Sequence, residues 1–378
     1  MQRRHVILAG SAALLAAPGL VPLQAHAQAL EKPKLTVAVG GKNLLYYLPL
    51  TIAEQRGYFK AEGLDVTIVD FAGGARALQA VVGGSADVVS GAFEHTVNMQ
   101  HKGQRMRAFA LQGRVPQIVL GTNPKTMPNF KTVADLKGKK IGVTAPGSST
   151  NVVVNFILAK AGLKPSDVSI IGVGAAQGAV AAMRAGQIDA ISNLDPVITL
   201  LQRSGDLRIV SDTRILAESE KVFGGPMPAG CLYAPQAFID KNPATTQALA
   251  NAIVRANKWI QAAGATEIIT TVPEAFLLGD RAVYIDAFRA AQGALSADGL
   301  FPDKGADTAF RALASIDPEI AAGHHDALEG VDDLVDVLDG LRLLDLGDDR
   351  DEDALLAHDR ADVLGVGRAA HEAQGDEV

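Results

Sequence analysis

A chain of 378 residues, 48% apolar and 20% charged, is too long for one simple core and suits two lobes plus appendages. Aromatic residues make up only 5%, which sets aside carbohydrate or base stacking as the main binding mode. The net charge of −7 is uneven: from Gly323 onward there are 17 acidic and 4 basic residues, so the remainder is mildly basic but lacks the Lys/Arg-striped surface that nucleic acid requires. Such a body fits an anionic or zwitterionic small ligand.

The N-terminus reads as an export signal over residues 1–27. Arg3 and Arg4 open it, Val6 to Leu20 is an apolar stretch of signal length, and Ala25-His26-Ala27 offers a small-residue cleavage site. A mature chain beginning at Gln28, in the periplasm, is expected, by the Sec route or, given the paired arginines, the twin-arginine route. The stretch is too short to span a bilayer, and no later run reaches the ~20 apolar residues that spanning needs. No Cys follows it to carry a lipid anchor.

Strands and helices then alternate. Leu35 to Val39 is a β-rich run, Pro49 to Lys60 a helix with Pro in its first turn, Val66 to Phe71 a strand, Ala75 to Val82 a helix and Val88 to Ser90 a strand end. Alternation of this kind predicts an α/β fold with parallel sheets faced by helices. A shift of 102 residues lays Asp65–Val97 on Asp167–Thr199 without a gap, with eight identities that include Asp65/Asp167, Ala77/Ala179, Gly84/Gly186 and Asp87/Asp189. Convergent periodicity is the alternative, but gap-free matching across strand, helix, turn and strand favours a repeat and two similar lobes. Ligands of parallel sheets sit beyond the carboxyl ends of strands. The repeat matches Ser90–Glu94 with Ser192–Pro196 and Phe71–Arg76 with Val173–Gly178, and these four segments are the expected cleft walls.

Farther on, Lys131 to Gly138 reads as a capped short helix, with a Thr cap, an acid three residues later and a Gly stop. Asn242-Pro243 opens a long amphipathic helix through Ala263 whose Trp259 is expected in the core. Cys231, the one cysteine, reads as a packed strand residue rather than a nucleophile, since nothing near His95 or His101 suggests a relay.

The segments YYLPLTIAEQRGYFKAEGLDV, RALQAVVGGSADVVSG, LKGKKIGV and MRAGQIDAISNLDP resemble the binding proteins of nitrate, sulfonate and taurine ABC importers. That group's wider relatives bind thiamine-pyrimidine precursors. The resemblance covers about Lys34 to Ile320 and implies a type II periplasmic-binding-protein fold. Lobe 1 would comprise residues 34–115 and 232–320, lobe 2 residues 116–231, and two crossover strands near Gln112–Pro116 and Met227–Leu232 would form the hinge. It also implies a monomeric receptor without metal, cofactor or catalytic residue. Its partners would be a small-molecule solute and an ABC permease with its ATPase subunit. A pyrimidine-synthase-like enzyme shares the architecture, but depends on clustered Cys/His chemistry in a reducing cytosol. The effector domain of a regulator also shares the fold, and conflicts with export.

The sharpest chemical feature is Ala145 to Thr150, between a strand at Lys140–Val143 and a helix at Asn151–Ala161. Free N–H groups, the positive end of the helix and three hydroxyls meet there, a ready anion site built on Gly147, Ser148, Ser149 and Thr150. Plain N-capping would need only one hydroxyl. On the opposite wall, Glu94 is placed to hold an ammonium or a ring N–H, with capping or a salt bridge as the alternative. Arg114 is a candidate second anchor or a solvated cation. Asn43, Tyr46 and Tyr47 follow the first strand and are assigned polar and aromatic contacts. Gly73, Gly74, Phe93, Gln112, Asn193 and Asp195 complete the expected ligand-binding set, Asp195 being also a loop-orienting candidate.

From Gly323 the sequence loses Lys and aromatic residues and becomes acidic. A reading-frame shift or a genuine acidic appendage over residues 323–378 accounts for this. Leu328, Val331, Val335 and Leu338 keep helical spacing, Asp348 to Asp353 are expected to be solvated, and His324-His325-Asp326 is a weak metal motif.

Overall fold

The computed structural model describes residues 29–322, so the leader and tail readings lie outside the described residues. β1 (Lys34–Gly40) passes through a short turn at Leu45–Tyr47 into α1 (Leu48–Gln55), which carries Pro49 in its first turn. The single helix expected over Pro49–Lys60 is broken at Gly57. Its φ of 73° lies in the left-handed region that glycine tolerates, so α1 ends there and a one-turn α2 (Tyr58–Ala61) begins. Then come β2 (Asp65–Phe71), α3 (Gly74–Val82), β3 (Val88–Ala92), α4 (Glu94–His101) and β4 (Met106–Leu111).

The chain crosses to a second sheet through β5 (Val119–Thr122) and β6 (Lys140–Val143). Next follow α5 (Ser149–Lys160), β7 (Ser169–Gly172), α6 (Gln177–Arg184), β8 (Ala190–Asn193), α7 (Val197–Arg203), β9 (Arg208–Asp212) and α8 (Leu216–Phe223). It returns as β10 (Gly230–Pro235), α9 (Gln236–Lys241) and α10 (Pro243–Ala262). The final helices are α11 (Ala265–Thr271), α12 (Arg281–Ala291), α13 (Gly305–Ala314) and α14 (Pro318–Ala322).

The two sheets have the same plan, β2-β1-β3-β10-β4 and β7-β6-β8-β5-β9. Each is parallel except for one strand: β10 runs against β3 and β4, and β5 runs against β8 and β9. The exceptions have one cause. β4 and β9 run parallel to their core strands and leave at the carboxyl edge. The strand that receives the chain in the other sheet therefore enters at that sheet's carboxyl edge and must run backwards. Both carboxyl edges consequently face the same space, where side chains on the intervening loops converge.

The 102-residue repeat is a structural one. Asp87 N donates to the Thr36 carbonyl (2.9 Å) while its carboxylate accepts from Thr36 N (2.9 Å). Asp189 makes the same pair with Lys140, at 2.8 and 3.0 Å. Gly84 and Gly186 turn with φ of 74° and 66°, and Ala77 and Ala179 are both fully buried. Identity therefore survives where a carboxylate ties helix end to strand, where φ is positive, and where a helix meets the sheet.

The capped turn is present, as a 3-10 turn at Val133–Leu136 with Asp135 accepting from Thr132 N at 2.8 Å. Trp259 is half-buried and packs against the core, with the Arg56 guanidinium 4.8 Å over its ring. Cys231 is buried in β10, and burial pushes its thiol pKa well up, which fits packing rather than nucleophilic use.

Candidate ligand-binding cleft

Where the carboxyl edges meet, the N-termini of α3 and α5 face each other. Ala75 N donates to Ser148 Oγ (3.1 Å), Asn43 Nδ2 to the Ala175 carbonyl (2.8 Å) and Leu45 N to the Asp195 carbonyl (3.0 Å), so the two halves touch across the cleft. A narrow space remains between them. Gly40, Leu44, Tyr46, Tyr47, Gly74, Ile118, Thr144, Ser148, Ser149, Thr150 and Leu194 line it.

The backbone N–H groups of Gly74, Ser149 and Thr150 find no acceptor among the described residues, as first-turn amides of helices do not. Two helix dipoles thus present positive ends to one small space. Tyr46, 3% exposed, lines the same space, and its buried hydroxyl has no hydrogen-bond partner among the described residues. A buried hydroxyl left unpaired costs about 1–3 kcal/mol, so its setting favours an occupant that bonds to it. Beside this space lies a second one, sharing Tyr46 and Ser149 and walled by Glu94, Pro116, Val152, Val153, Phe156, Phe223, Met227, Ala229, Ala312 and Leu313.

The expected site is thus brought together only in part. Tyr46, Tyr47, Gly74, Ser148, Ser149 and Thr150 line the first space and Glu94 the second. Two of the three hydroxyls also have partners within the protein. Ser148 Oγ accepts from Ala75 N, and Thr150 Oγ1 accepts from Thr144 N (3.1 Å) and bonds Thr144 Oγ1 (2.9 Å). Gly147 N donates to Asn151 Oδ1 (3.0 Å), so its amide shapes the loop. Asn43 and Gly73 join the halves rather than line the space.

Five further candidates are placed otherwise. Phe93 packs on Phe301, centroids 5.4 Å apart, because the residue before α4 turns into the core. Gln112 donates to Ser90 Oγ at 3.0 Å, beneath the cleft floor. Arg114 is exposed and outside both spaces. Asn193 donates to the Gly174 carbonyl (3.0 Å) and accepts from Leu194 N, fixing the loop that Leu194 contributes. Asp195 accepts from Thr199 N (2.9 Å) and pairs with Arg214 (3.0 Å), so it orients the start of α7.

His95, not among the expected ligand-binding residues, lies under the cleft. It is 2% exposed, its Nδ1 is 3.1 Å from Tyr233 Oη, and its Nε2 is unpartnered among the described residues. A Cβ on Gly74 would come within 3.2 Å of its Cε1. Burial holds the imidazole pKa below its usual 6.5, against smaller opposing pulls from Glu94 and the Gly147 backbone. The unfolded chain therefore takes up a proton as pH falls through about 6.5, before the folded protein does, and stability declines. The melting temperature should drop between pH 7 and pH 5.5, and His95→Gln should flatten that slope; an unchanged slope would remove His95 as its source.

The paired sheets with facing carboxyl edges are the periplasmic-binding-protein fold. Solved structures with this fold include the nitrate-binding protein NrtA of Synechocystis (TM-score 0.65, 17% identity, covering 85% of this chain and 91% of that one). Another is the alkanesulfonate-binding protein SsuA of Xanthomonas axonopodis bound to MOPS (TM-score 0.58, 20% identity, 78% and 98% covered). A solved structure from Bordetella bronchiseptica is 65% identical, with TM-score 0.79, 80% of this chain covered and 95% of that one. The sequence profile of the NMT1-like family matches residues 28–272, and the chain belongs to that family. Among curated relatives, YtlA of Bacillus subtilis, named as a candidate binding protein, is 23% identical over 61% of this chain and 68% of its own. A 4-amino-5-hydroxymethyl-2-methylpyrimidine phosphate synthase of Schizosaccharomyces pombe is 28% identical over 37% of this chain, spanning 40% of that enzyme.

Proposed function

We propose that this chain is the periplasmic solute-binding receptor of an ABC importer, capturing a small anionic or zwitterionic solute between two lobes for a membrane permease. Residues 34–115 with 232–320 form one lobe in this reading and 116–231 the other, and the two passages of chain between the sheets serve as the hinge. Export by the N-terminal signal places it in the periplasm. The observation that carries the proposal is the convergence of unpaired amides from α3 and α5 with the unpaired Tyr46 hydroxyl. Charge-assisted hydrogen bonds contribute about 1.5–3 kcal/mol each and a helix end up to about 2 kcal/mol. Three or four such contacts suffice for the roughly −8 kcal/mol of a micromolar complex. The relatives that bind nitrate and alkanesulfonates support an oxyanion head group.

Calorimetry on the mature protein with nitrate, alkanesulfonates, taurine and aminopyrimidines tests this reading. At least one anion should bind at micromolar concentration, and Tyr46→Phe should weaken it about tenfold while leaving the unliganded melting temperature equal or higher, since an unpaired buried hydroxyl is removed. Binding of none below millimolar concentration would end the proposal. The likeness to the pyrimidine phosphate synthase gives a second reading, as an enzyme. Product analysis after incubation with pyrimidine precursors separates the two.

A further inference from the structure

The second sheet has an apolar core of its own, built on residues such as Val119, Ala179, Met183, Ile191 and Ile198. Among the described residues its members all lie between Val119 and Ile209, with one exception. Leu278 packs against this core from the loop between α11 and α12, in the part of the chain that belongs to the other lobe. Its neighbour Leu277 is buried in the larger core, so two adjacent leucines serve different cores.

The loop is bent for this purpose. Leu278 has φ of 50° and ψ of 25°, Gly279 has φ of 81°, and Asp280 N donates to the Leu277 carbonyl at 3.0 Å. A tight turn with two left-handed central residues is one that Asn-Gly or Gly-Gly fills. A leucine at its first central position is unfavourable, so the chemistry of the turn does not account for it. The contact with the second core does. Two polar links join the same halves nearby. Gln177 Nε2 donates to the Leu278 carbonyl at 3.2 Å, from the cleft-wall segment that Asn43 also holds through the Ala175 carbonyl. Arg203 Nη1 on α7 lies 3.0 Å from Asp286 Oδ2 on α12, but both side chains are about half-exposed, and such pairs contribute little. Burial of the leucine side chain is the strongest of the three.

We infer that Leu278 is a clasp: it completes the second lobe's core only while the halves are together, and so strengthens the hold on a solute that it does not touch. It lines neither space of the cleft. The inference rests on the receptor reading and concerns closure, not the identity of the solute.

Calorimetry with nitrate, propane-1-sulfonate and taurine as probes, together with thermal melting of the unliganded mature protein, tests it. Leu278→Asn suits the turn but lacks the apolar side chain. For whichever probe binds the parent, this variant is expected to bind at least tenfold more weakly, with an unliganded melting temperature at or above the parental one. Leu278→Met keeps an apolar contact and should stay within threefold of the parental affinity. Leu278→Ala provides a second truncation should the first fold poorly, and is expected to weaken binding likewise. Parental affinity in both truncations overturns the inference and leaves the receptor reading standing. If no probe binds the parent, the receptor reading falls and small-angle X-ray scattering of the unliganded proteins decides the clasp alone. A larger radius of gyration in Leu278→Asn than in the parent supports it; equal radii overturn it.

Discussion

Replacing Gly73 with Val is expected to leave the unliganded protein folded and to lower solute affinity at least 100-fold. Gly73 is extended, with φ of 165° and ψ of 160°, a conformation any residue adopts, so the substitution carries no backbone strain. The three atoms nearest a Cβ built there all belong to the opposite half: Ala145 Cβ at 2.7 Å, Ser148 Oγ at 2.9 Å and Ala145 N at 3.2 Å. A side chain therefore meets resistance only when the cleft shuts. The halves must stay apart, which breaks the Ala75 N to Ser148 Oγ bond and admits water between the helix ends. Losing two such contacts and the dry setting amounts to about 3 kcal/mol, or 100-fold. Gly40 makes the useful contrast. A Cβ there would lie 2.2 Å from Gly74 N and 2.3 Å from Gly73 C, backbone of its own half. Gly40→Ala should thus lower the melting temperature of the unliganded protein, whereas Gly73→Val should not. Retention of parental affinity by Gly73→Val would show that closure is not needed for binding.

The difference between these glycines marks the limit of what sequence conveys. Alternating apolar runs and turn residues made the strands and helices legible, because each is set by neighbours within a few positions. The repeat was legible for a different reason: Asp87 and Asp189 each tie their strand to one about 50 residues earlier, and the same residue does it in both units. The antiparallel β5 and β10 were not legible, since their direction follows from where the chain enters a sheet after crossing from the other.

Loops at strand ends pointed to the right part of the surface but not to the right side chains. Phe93 and Glu94 are adjacent, yet one packs on Phe301 and the other walls a cavity. Likewise Asn193 and Leu194 are neighbours, and it is the apolar one that lines the cleft. Direction alternates from residue to residue, and spacing alone does not say which comes out on the functional side. His95 was passed over because its partner Tyr233 is 138 residues away and nothing local to either announces the contact. The hydroxyls of Ser148 and Thr150 were legible as a cluster, but the Ser148 partner, Ala75 N, depends on how α3 meets α5, while Thr150 bonds Thr144 within its own loop.

Arg214→Met should destabilise the protein by about 3–5 kcal/mol, the largest stability effect expected from a single charge. Arg214 is 7% exposed and sits between two acids, with Nη1 3.0 Å from Asp195 Oδ2, Nη2 2.6 Å from Asp212 Oδ2 and Nε 2.9 Å from Asp212 Oδ1. Burial disfavours its charge, but hydrogen bonds and attraction from Asp212 and Asp195 outweigh that and hold its pKa above the usual value. Removing the guanidinium strands a carboxylate that is 2% exposed in Asp195. Asp195 also caps α7 through Thr199 and offers its carbonyl to Leu45 N across the cleft, so the damage reaches the binding site. The melting temperature should fall by roughly 8 °C, and added salt should not restore it, because buried pairs are little screened. Asp195→Asn in the Arg214→Met background removes the stranded charge and should recover part of the loss. A double variant no more stable than Arg214→Met alone would mean that the packing of the arginine, and not its charge, holds this loop.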